Sequence, residues 1–379
     1  MKTKLIITKS NIETLRYFGE QLKKAADELE VENIFMPMDI DANEFTDRCI
    51  RYGKDGNCSI IGFNIFPDLE NIAIMGMPFF DILVDHPRRF GLRMPKKQSN
   101  VNIVSIDRKH TEYVKKMFPY VSQSIFLPLG GTEVNSHIPY RERKMDILYA
   151  GSNSVCTEIP TLDFLSDGGV KCYLEAFKLL LDNTELTGEE ALLSVFESNG
   201  IEVPEKFQNT VMFSAVDILE QNARTHFRLQ MIKKLSDSGF NVDIYGNNWN
   251  PEENGFGDNI HIHLPVDSKE INILTGNARI SLNSMPWFKD GAHDRIFTAM
   301  LNRTVSVTDP STYLFERFEH GKNIVFYDLN DMDQLVYNIK YLLDNPDKAA
   351  QIAENGYEVA AANDTWKNRL ITLLSYMGD

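Results

Sequence analysis

Apolar residues in this chain fall into short continuous runs, separated by longer stretches where they recur every three or four positions. LIIT (5–8), NIFMPM (33–38), SIIGFNIF (59–66), FFDILVDHP (79–87), VNIVSID (101–107) and SIFLPLGG (124–131) read as strands. Between them, residues 11–29 set Leu15, Phe18, Leu22 and Ala26 on one helical face, and residues 43–52 and 108–118 form further helices. Strands that are apolar throughout and alternate with helices predict a parallel sheet covered on both faces. Ligands of such sheets bind beyond the carboxyl ends of the strands, which singles out Asp85-His86-Pro87, Asp107 and Gly130-Gly131 as cleft residues.

Residues 130–144 are polar and turn-rich and read as a linker, and the rhythm then starts afresh with DILYAGSN (146–153). Residues 155–220 break it. TLDFL, KCYLEAFKLLL, EEALLSVFES and EKFQNTVMF are helical segments with no strand between them, so a helical insertion is expected in a second domain. The alternation resumes with a helix over 221–238 and the strands NVDIYG (241–246) and IHIHLP (260–265). A helix over 267–277 follows, then strands at 279–283 and 305–308 flanking a helix from Asp294, and NIVFY (323–327). Helices over 331–343 and 348–361 are separated by a break at Pro346, and an amphipathic last helix is capped by Asn363 or Asp364. The expected division is 1–140, 141–362 and a final helix over 363–379.

The composition is that of a soluble globular chain, with 43% hydrophobic and 25% charged residues. No apolar run is long enough to span a membrane, and the apolar part of the N-terminus is too short for a signal peptide, so a cytoplasmic location is expected. A net charge of −15 argues against nucleic acid as partner. Cys49, Cys58, Cys156 and Cys172 show no metal-ligand spacing.

The local exception to the acidic average is the stretch 277–318. A loop with Gly291 lies there between a buried strand and a helix start, and it carries Lys289, Asp290, His293 and Arg295. Unpaired N–H groups and the dipole at a helix N-terminus favour a phosphate, and a guanidinium can hold two of its oxygens. Lys289, His293 and Arg295 with the helix N-terminus are the candidates for a diphosphate, and Asp290 and Gly291 are further donor-site candidates. Gly246, Asn247 and Trp249 end the neighbouring strand and could line a nucleoside pocket, and Gly151, Ser152 and Asn153 could approach the phosphates with backbone N–H groups. Asp85 or His86 is a candidate base for an acceptor hydroxyl, with His110 and His137 weaker versions of the same idea. Asp39-Ile40-Asp41 and Asp331-Met332-Asp333 have DxD spacing but read as strand end and helix start. No GxGxxG, Walker, HExxH or GxSxG motif occurs.

ARISLN (278–283), DGAHDRIFTAMLNRTVSVTD (290–309), FERFEHGKNIVFYDLNDMDQL (315–335) and NDTWKNRLITLL (363–374), with DILYAGSN paired to NVDIYGNNW, resemble the GT-B glycosyltransferases, in particular the spore-maturation CgeB-like proteins with glycosyltransferase family 1/4-type domains. DILVDHP and VSIDRKHTEYVK resemble the N-terminal domain often attached to them. The resemblance implies an α/β fold of two Rossmann-like domains facing a cleft, the second binding a nucleotide sugar, with UDP the expected nucleotide. It implies no cofactor and no metal, since cationic side chains do the metal's work, and a final helix that crosses back to the first domain. Many retaining members carry two glutamates with seven residues between them. Asp290 and Thr298 stand at those positions here, so the carboxylate that holds the ribose is replaced. The expected acceptor is a protein, a glycan or a small molecule, and the insertion could recognise it or form a homodimer. The rival expectation is a non-catalytic protein of this fold that binds a nucleotide or sugar, or serves as a scaffold.

Overall fold

The computed structural model describes residues 3–54, 57–65, 75–97, 99–134, 138–154, 167–202 and 211–378, the side chains of 167 and 211–214 excepted. The segment TLDFL, the start of EKFQNTVMF, Cys156 and His137 lie outside the described residues.

Two six-stranded sheets form, and every strand pairing in both is parallel. In the first, β1 (Lys4–Lys9), β2 (Asn33–Pro37), β3 (Cys58–Phe63), β4 (Phe79–Leu83), β5 (Val101–Ser105) and β6 (Gln123–Phe126) lie in the order β2-β1-β3-β4-β5-β6. In the second, β7 (Met145–Ala150), β8 (Val242–Tyr245), β9 (Ile260–His263), β10 (Ala278–Leu282), β11 (Val305–Thr308) and β12 (Val325–Phe326) are ordered β12-β11-β10-β7-β8-β9. β3, β4 and β5 are buried at every position, which explains their unbroken apolar runs. The chain leaves β7 on one side for β8 and β9 and returns on the other for β10. The crevice beyond β7 and β10 is therefore the switch point of the second sheet.

The helices of the first half are α1 (Glu13–Glu28), α2 (Ala42–Gly53) and α3 (Arg108–Met117). The insertion supplies α4 (Asp167–Asp182), α5 (Gly188–Ser198), opened by a Thr187/Glu190 capping box, and the head of α6. One expectation is corrected here. The last inserted segment and the helix expected over 221–238 are a single 27-residue helix, α6 (Val211–Asp237), because nothing in that sequence caps or breaks it. The insertion is thus rigidly continuous with the helix that follows β7.

The second half continues with α7 (Ser268–Asn277), α8 (Asp294–Leu301), α9 (Met332–Asp344), α10 (Pro346–Asn363) and α11 (Trp366–Ser375). Pro346 does not break α10 but opens it at the first turn, where its missing N–H costs nothing. The cap of α11 is Thr365, in a capping box with Asn368, rather than Asn363 or Asp364. Asp364 is fully buried and pairs with Arg317 at 2.6 Å and Arg369 at 2.6 Å.

The linker is anchored. Arg143, 2% exposed, donates to the carbonyls of Ile138, Ala278 and Asn302 and to Thr304 Oγ1, and burial pulls its pKa down to about 10. Gly131 donates its N–H to Asp364 O. Helix α11 packs on α1, with the Trp366 ring 5.5 Å from Phe18 and 6.1 Å from Phe63. One apolar core consequently runs from Leu5 and Phe63 of the first half into Ile296, Phe297 and Leu370 of the second. Cys49, Cys58 and Cys172 are free and buried. Among the described residues no helix is long and apolar enough to cross a membrane.

Removing the indole that joins the halves leaves a large cavity. Trp366→Ala is expected to destabilise the protein by about 3–5 kcal/mol. A urea midpoint unchanged from the native chain would show that the α1–α11 contact contributes little.

Candidate functional site

The loop between β10 and α8 is positioned from the opposite half of the molecule. Asp107, 1% exposed at the end of β5, caps α3 by accepting the Lys109 N–H at 2.8 Å. Its second oxygen accepts the N–H groups of Lys289 and Asp290 at 3.0 and 2.9 Å. Arg108 N donates to Asp290 O at 3.0 Å, and Asp107 and Gly291 form an antiparallel bridge. A Cβ on Gly291 would stand 2.4 Å from Ile106 O, so only glycine fits this approach. Asp107 was expected in the cleft, and the structure uses its carboxylate as a clasp.

Three arginines gather over the loop so held. Arg224 and Arg228, one turn apart on α6, place their guanidinium carbons 4.9 and 5.4 Å from the centre of the Trp287 ring. Arg295, from the first turn of α8, donates to Ala150 O at 2.6 Å. Arg228 donates to Ser152 O at 2.5 Å and Arg224 to Ser154 Oγ at 3.0 Å. None of the three forms a salt bridge to a carboxylate among the described residues, and the Nε groups of Arg224 and Arg228 are buried without a partner. Burial, with Arg228 and Arg89 nearby, pulls the Arg224 pKa down to about 10, and burial likewise lowers Arg295. Three cations at a switch point, held by carbonyls and a hydroxyl rather than by carboxylate salt bridges, although Asp294 lies near Arg295 and Asp85 near Arg224, suit a multiply charged anion chemically.

His293, the N-cap of α8, completes the wall. Its Nδ1 lies 3.0 Å from Asn283 Oδ1. Asn283 is oriented by donating Nδ2–H to Thr308 Oγ1 at 2.9 Å, and that hydroxyl in turn donates to Asp309 O. The proton therefore sits on Nδ1 and leaves Nε2 as an acceptor. Burial, then the charges of Arg295, Arg228 and Arg224, hold His293 well below its usual pKa, so the ring is neutral.

The other expected residues take different places. Lys289 does not join the arginines: its ammonium donates to the carbonyls of Thr184 and Pro286, tying the insertion to the loop. Asp290 pairs with Arg108 at 3.1 Å. Thr298, 3% exposed, accepts the Thr132 N–H at 3.1 Å beneath the linker. The loops 151–153 and 246–249 are zipped to each other. Gly151 N donates to Tyr245 O at 3.0 Å, Asn153 N to Asn247 O at 2.9 Å, and Asn247 N to Ser152 Oγ at 2.9 Å. The N–H groups of Gly151 and Asn153 are therefore spent on these bonds, which removes them from the phosphate approach expected of them. Trp249, 8% exposed, donates its indole N–H to Gly151 O at 2.8 Å and sits edge-on to Tyr149, which makes it a core residue bracing the two loops. A Cβ on Gly246 would lie 2.4 Å from Gly151 O, which accounts for that glycine. At the head of α8 burial raises the Asp294 carboxyl above its usual pKa, and His293 makes no side-chain cap hydrogen bond there.

Across the cleft, Asp85 accepts from Asn64 Nδ2 at 2.9 Å and pairs with Arg89 at 3.2 Å, while remaining about two-fifths exposed. His86 Nδ1 accepts the Arg88 N–H at 3.2 Å, so its ring offers an Nε2–H donor. It lies 4.3 Å from the buried His110, and burial lowers both pKa values. Arg88 and Arg89 reach across to α6, Arg88 to Asp217 at 3.0 Å and to Glu220, Arg89 to Asp217 at 2.9 Å. Beside these pairs a space of about 50 Å³ remains, lined by Asp85, His86, Glu220, Arg224 and Trp287.

The sequence argument missed Arg224 and Arg228. Their i, i+4 spacing on an apolar helix of an acidic chain was the available signal.

Residues 224–375 match the family model described as glycosyl transferase-like. In three dimensions the chain is similar to sucrose-phosphate synthase from Thermosynechococcus elongatus, at 9% identity over 99% of this chain and 97% of that one, with a TM-score of 0.55. It is also similar to HepE from Anabaena, solved with UDP-glucose, at 9% identity over 99% of both chains and a TM-score of 0.54. An alpha-glucosyltransferase solved with UDP-glucose and DNA containing an abasic site matches at 11% identity over 100% of this chain and 99% of that one, with a TM-score of 0.59. No curated protein matches the chain in sequence. The fold is therefore GT-B, two parallel sheets with helices arranged as in glycosyltransferase structures, and its C-terminal part is glycosyltransferase-like in sequence.

Asp309 gives this region a pH signature. Burial pushes its carboxyl up to about 7, although it accepts the Met285 N–H at 2.7 Å. The folded state then holds this proton more tightly than the unfolded chain, so stability falls as pH rises from about 4 to about 7 and levels off above. Asp309→Asn keeps the acceptor oxygen without the charge. Its melting temperature relative to the native chain should rise across that window, toward a gain of about 4 kcal/mol at full burial. A difference constant from pH 4 to pH 8 would show that Asp309 titrates normally.

Proposed function

We propose that the protein is a glycosyltransferase that takes its sugar from a nucleotide-diphosphate donor, with UDP the favoured nucleotide. The observation that carries this reading is the cluster of Arg224, Arg228 and Arg295 at the switch point of the second sheet, with no carboxylate salt bridge to any of the three among the described residues. The glycosyltransferase-like sequence of residues 224–375 and the UDP-glucose bound by two structural neighbours support it.

The arginines hold the diphosphate and stabilise the charge that develops as it leaves, the role a metal plays in other transferases. The anomeric carbon loses its bond to the phosphate oxygen as the acceptor hydroxyl oxygen bonds to it. In an inverting transfer Asp85, open to the cleft opposite the arginines, takes the hydroxyl proton. His86 serves as a hydrogen-bond donor there, since its Nδ1 is occupied. The space of about 50 Å³ that Arg224 lines is too small for a diphosphate, and parting of the Arg88–Asp217 and Arg88–Glu220 pairs would enlarge it for the donor. The acceptor is a glycan, a protein or a small molecule; the charge of −15 disfavours nucleic acid.

Arg228→Ala should weaken UDP binding by about 1.5–3 kcal/mol, the range for a charge-assisted hydrogen bond, as read by calorimetry. Native affinity in that variant would place the diphosphate elsewhere. UDP binding without UDP release from UDP-glucose, whatever acceptor is offered, would favour a non-catalytic binder, a reading that the replacement of the second carboxylate by Thr298 supports.

A further inference from the structure

A cavity of about 420 Å³ opens at the carboxyl ends of β11 and β12, beside the arginine cluster but separate from it. The Pro286–Lys289 loop is the wall between them. Trp287 faces the arginines, Lys289 lines the cavity, and Phe288 touches both spaces.

The two spaces differ in electrostatics. Where the arginine site is cationic, the cavity presents the carboxylates of Glu185 and Asp328, with the partly protonated carboxyl of Asp309, against the ammonium of Lys289, which two backbone carbonyls already hold. An excess of acidic groups repels phosphates, so this space does not suit the nucleotide. It does suit an uncharged ring rich in hydroxyl groups. Phe315 stands at the mouth 61% exposed, and its ring lies 4.9 Å from that of Phe326. An apolar face of this kind packs against the C–H face of a sugar ring. Gln334 is aimed by accepting the Asp328 N–H at 2.8 Å through Oε1, which leaves its amide N–H groups to donate. Carboxyl oxygens and an amide are the groups that pair with sugar hydroxyls.

We propose that this cavity is a saccharide subsite, which holds an uncharged hexose or disaccharide unit of a glycan acceptor against Phe315 with its hydroxyls on Gln334, Asp309 and Asp328. The assignment deepens the donor reading and rests on it for the role as acceptor. Its position across one loop from the diphosphate places the bound glycan next to the transferred sugar.

The test is saturation-transfer NMR on the full chain with maltose, cellobiose, lactose and diacetylchitobiose, each with and without UDP. At least one disaccharide should receive saturation, keep it when UDP is added, and keep it in Arg228→Ala. Phe315→Ala and Gln334→Ala, both substitutions of exposed side chains, should each weaken that binding about tenfold, the loss of one packing face or one hydrogen-bonding group. No transfer to any of the four sugars, unchanged binding in both variants, or displacement by UDP would overturn the subsite. Failure of the donor reading shows separately, as absent UDP binding in the native chain while the disaccharide still binds.

Discussion

The structure depends on one buried carboxylate. Asp107 leaves the first sheet at the end of β5 and satisfies three backbone N–H groups, one at the head of α3 and two in the loop that follows β10. A carboxylate that is 1% exposed is tolerable only when its oxygens are bonded in this way, and the N–H groups of Lys289 and Asp290 would be orphaned without it. The bond therefore works in both directions. It makes burial of the charge affordable, and it sets the loop from which Trp287 and His293 face the arginines. Gly291 lets the backbones come close enough, and the Arg108–Asp290 and Arg108–Glu316 pairs extend the same contact to the surface.

Around this fixed loop, charge is distributed unevenly. Buried arginines are normally paired, and here those that approach the first half are: Arg88 has Asp217 and Glu220, and Arg317 and Arg369 share Asp364. Arg224, Arg228 and Arg295 instead rest on carbonyl oxygens and an aromatic face, which orient a guanidinium without cancelling its charge. The same α6 carries both kinds of contact. Asp217 and Glu220 at its inserted end bind the first half, and the arginines one to three turns later face the crevice. Because α6 is one unbroken helix, movement of the insertion and access to the cations are mechanically linked.

Much of the fold was legible because parallel sheets buried on both faces write themselves as continuous apolar runs. Strand β11 was read at its observed limits, and the strand–loop–helix around Asp294 was read in the right place. The misreadings have physical causes. Asp364 looked like a helix cap because caps and buried ion-pair acids use the same residue, and only its contact with Arg317 and Arg369 separates them. Trp249 looked like a residue lining a nucleoside pocket, but its indole N–H has an acceptor in Gly151 O and its ring is buried. Lys289 looked like a phosphate ligand by its place in the chain, yet it reaches Thr184, more than a hundred residues away.

By itself the sequence determined the alternation of strands and helices, the interruption of that alternation by inserted helices, and the acidic surface with a cationic exception. These follow from local periodicity and composition, which each segment carries alone. Only the tertiary structure decided which cations meet. Arg224 and Arg228 come from α6 and Arg295 from α8, and they converge because β7 and β10 are neighbours at the switch point. Only the tertiary structure, too, withheld Lys289 and the N–H groups of Gly151 and Asn153 from that site, by giving them partners distant in sequence. Charge and hydrogen-bonding capacity belong to residues, but whether they are free to meet a ligand belongs to the packing.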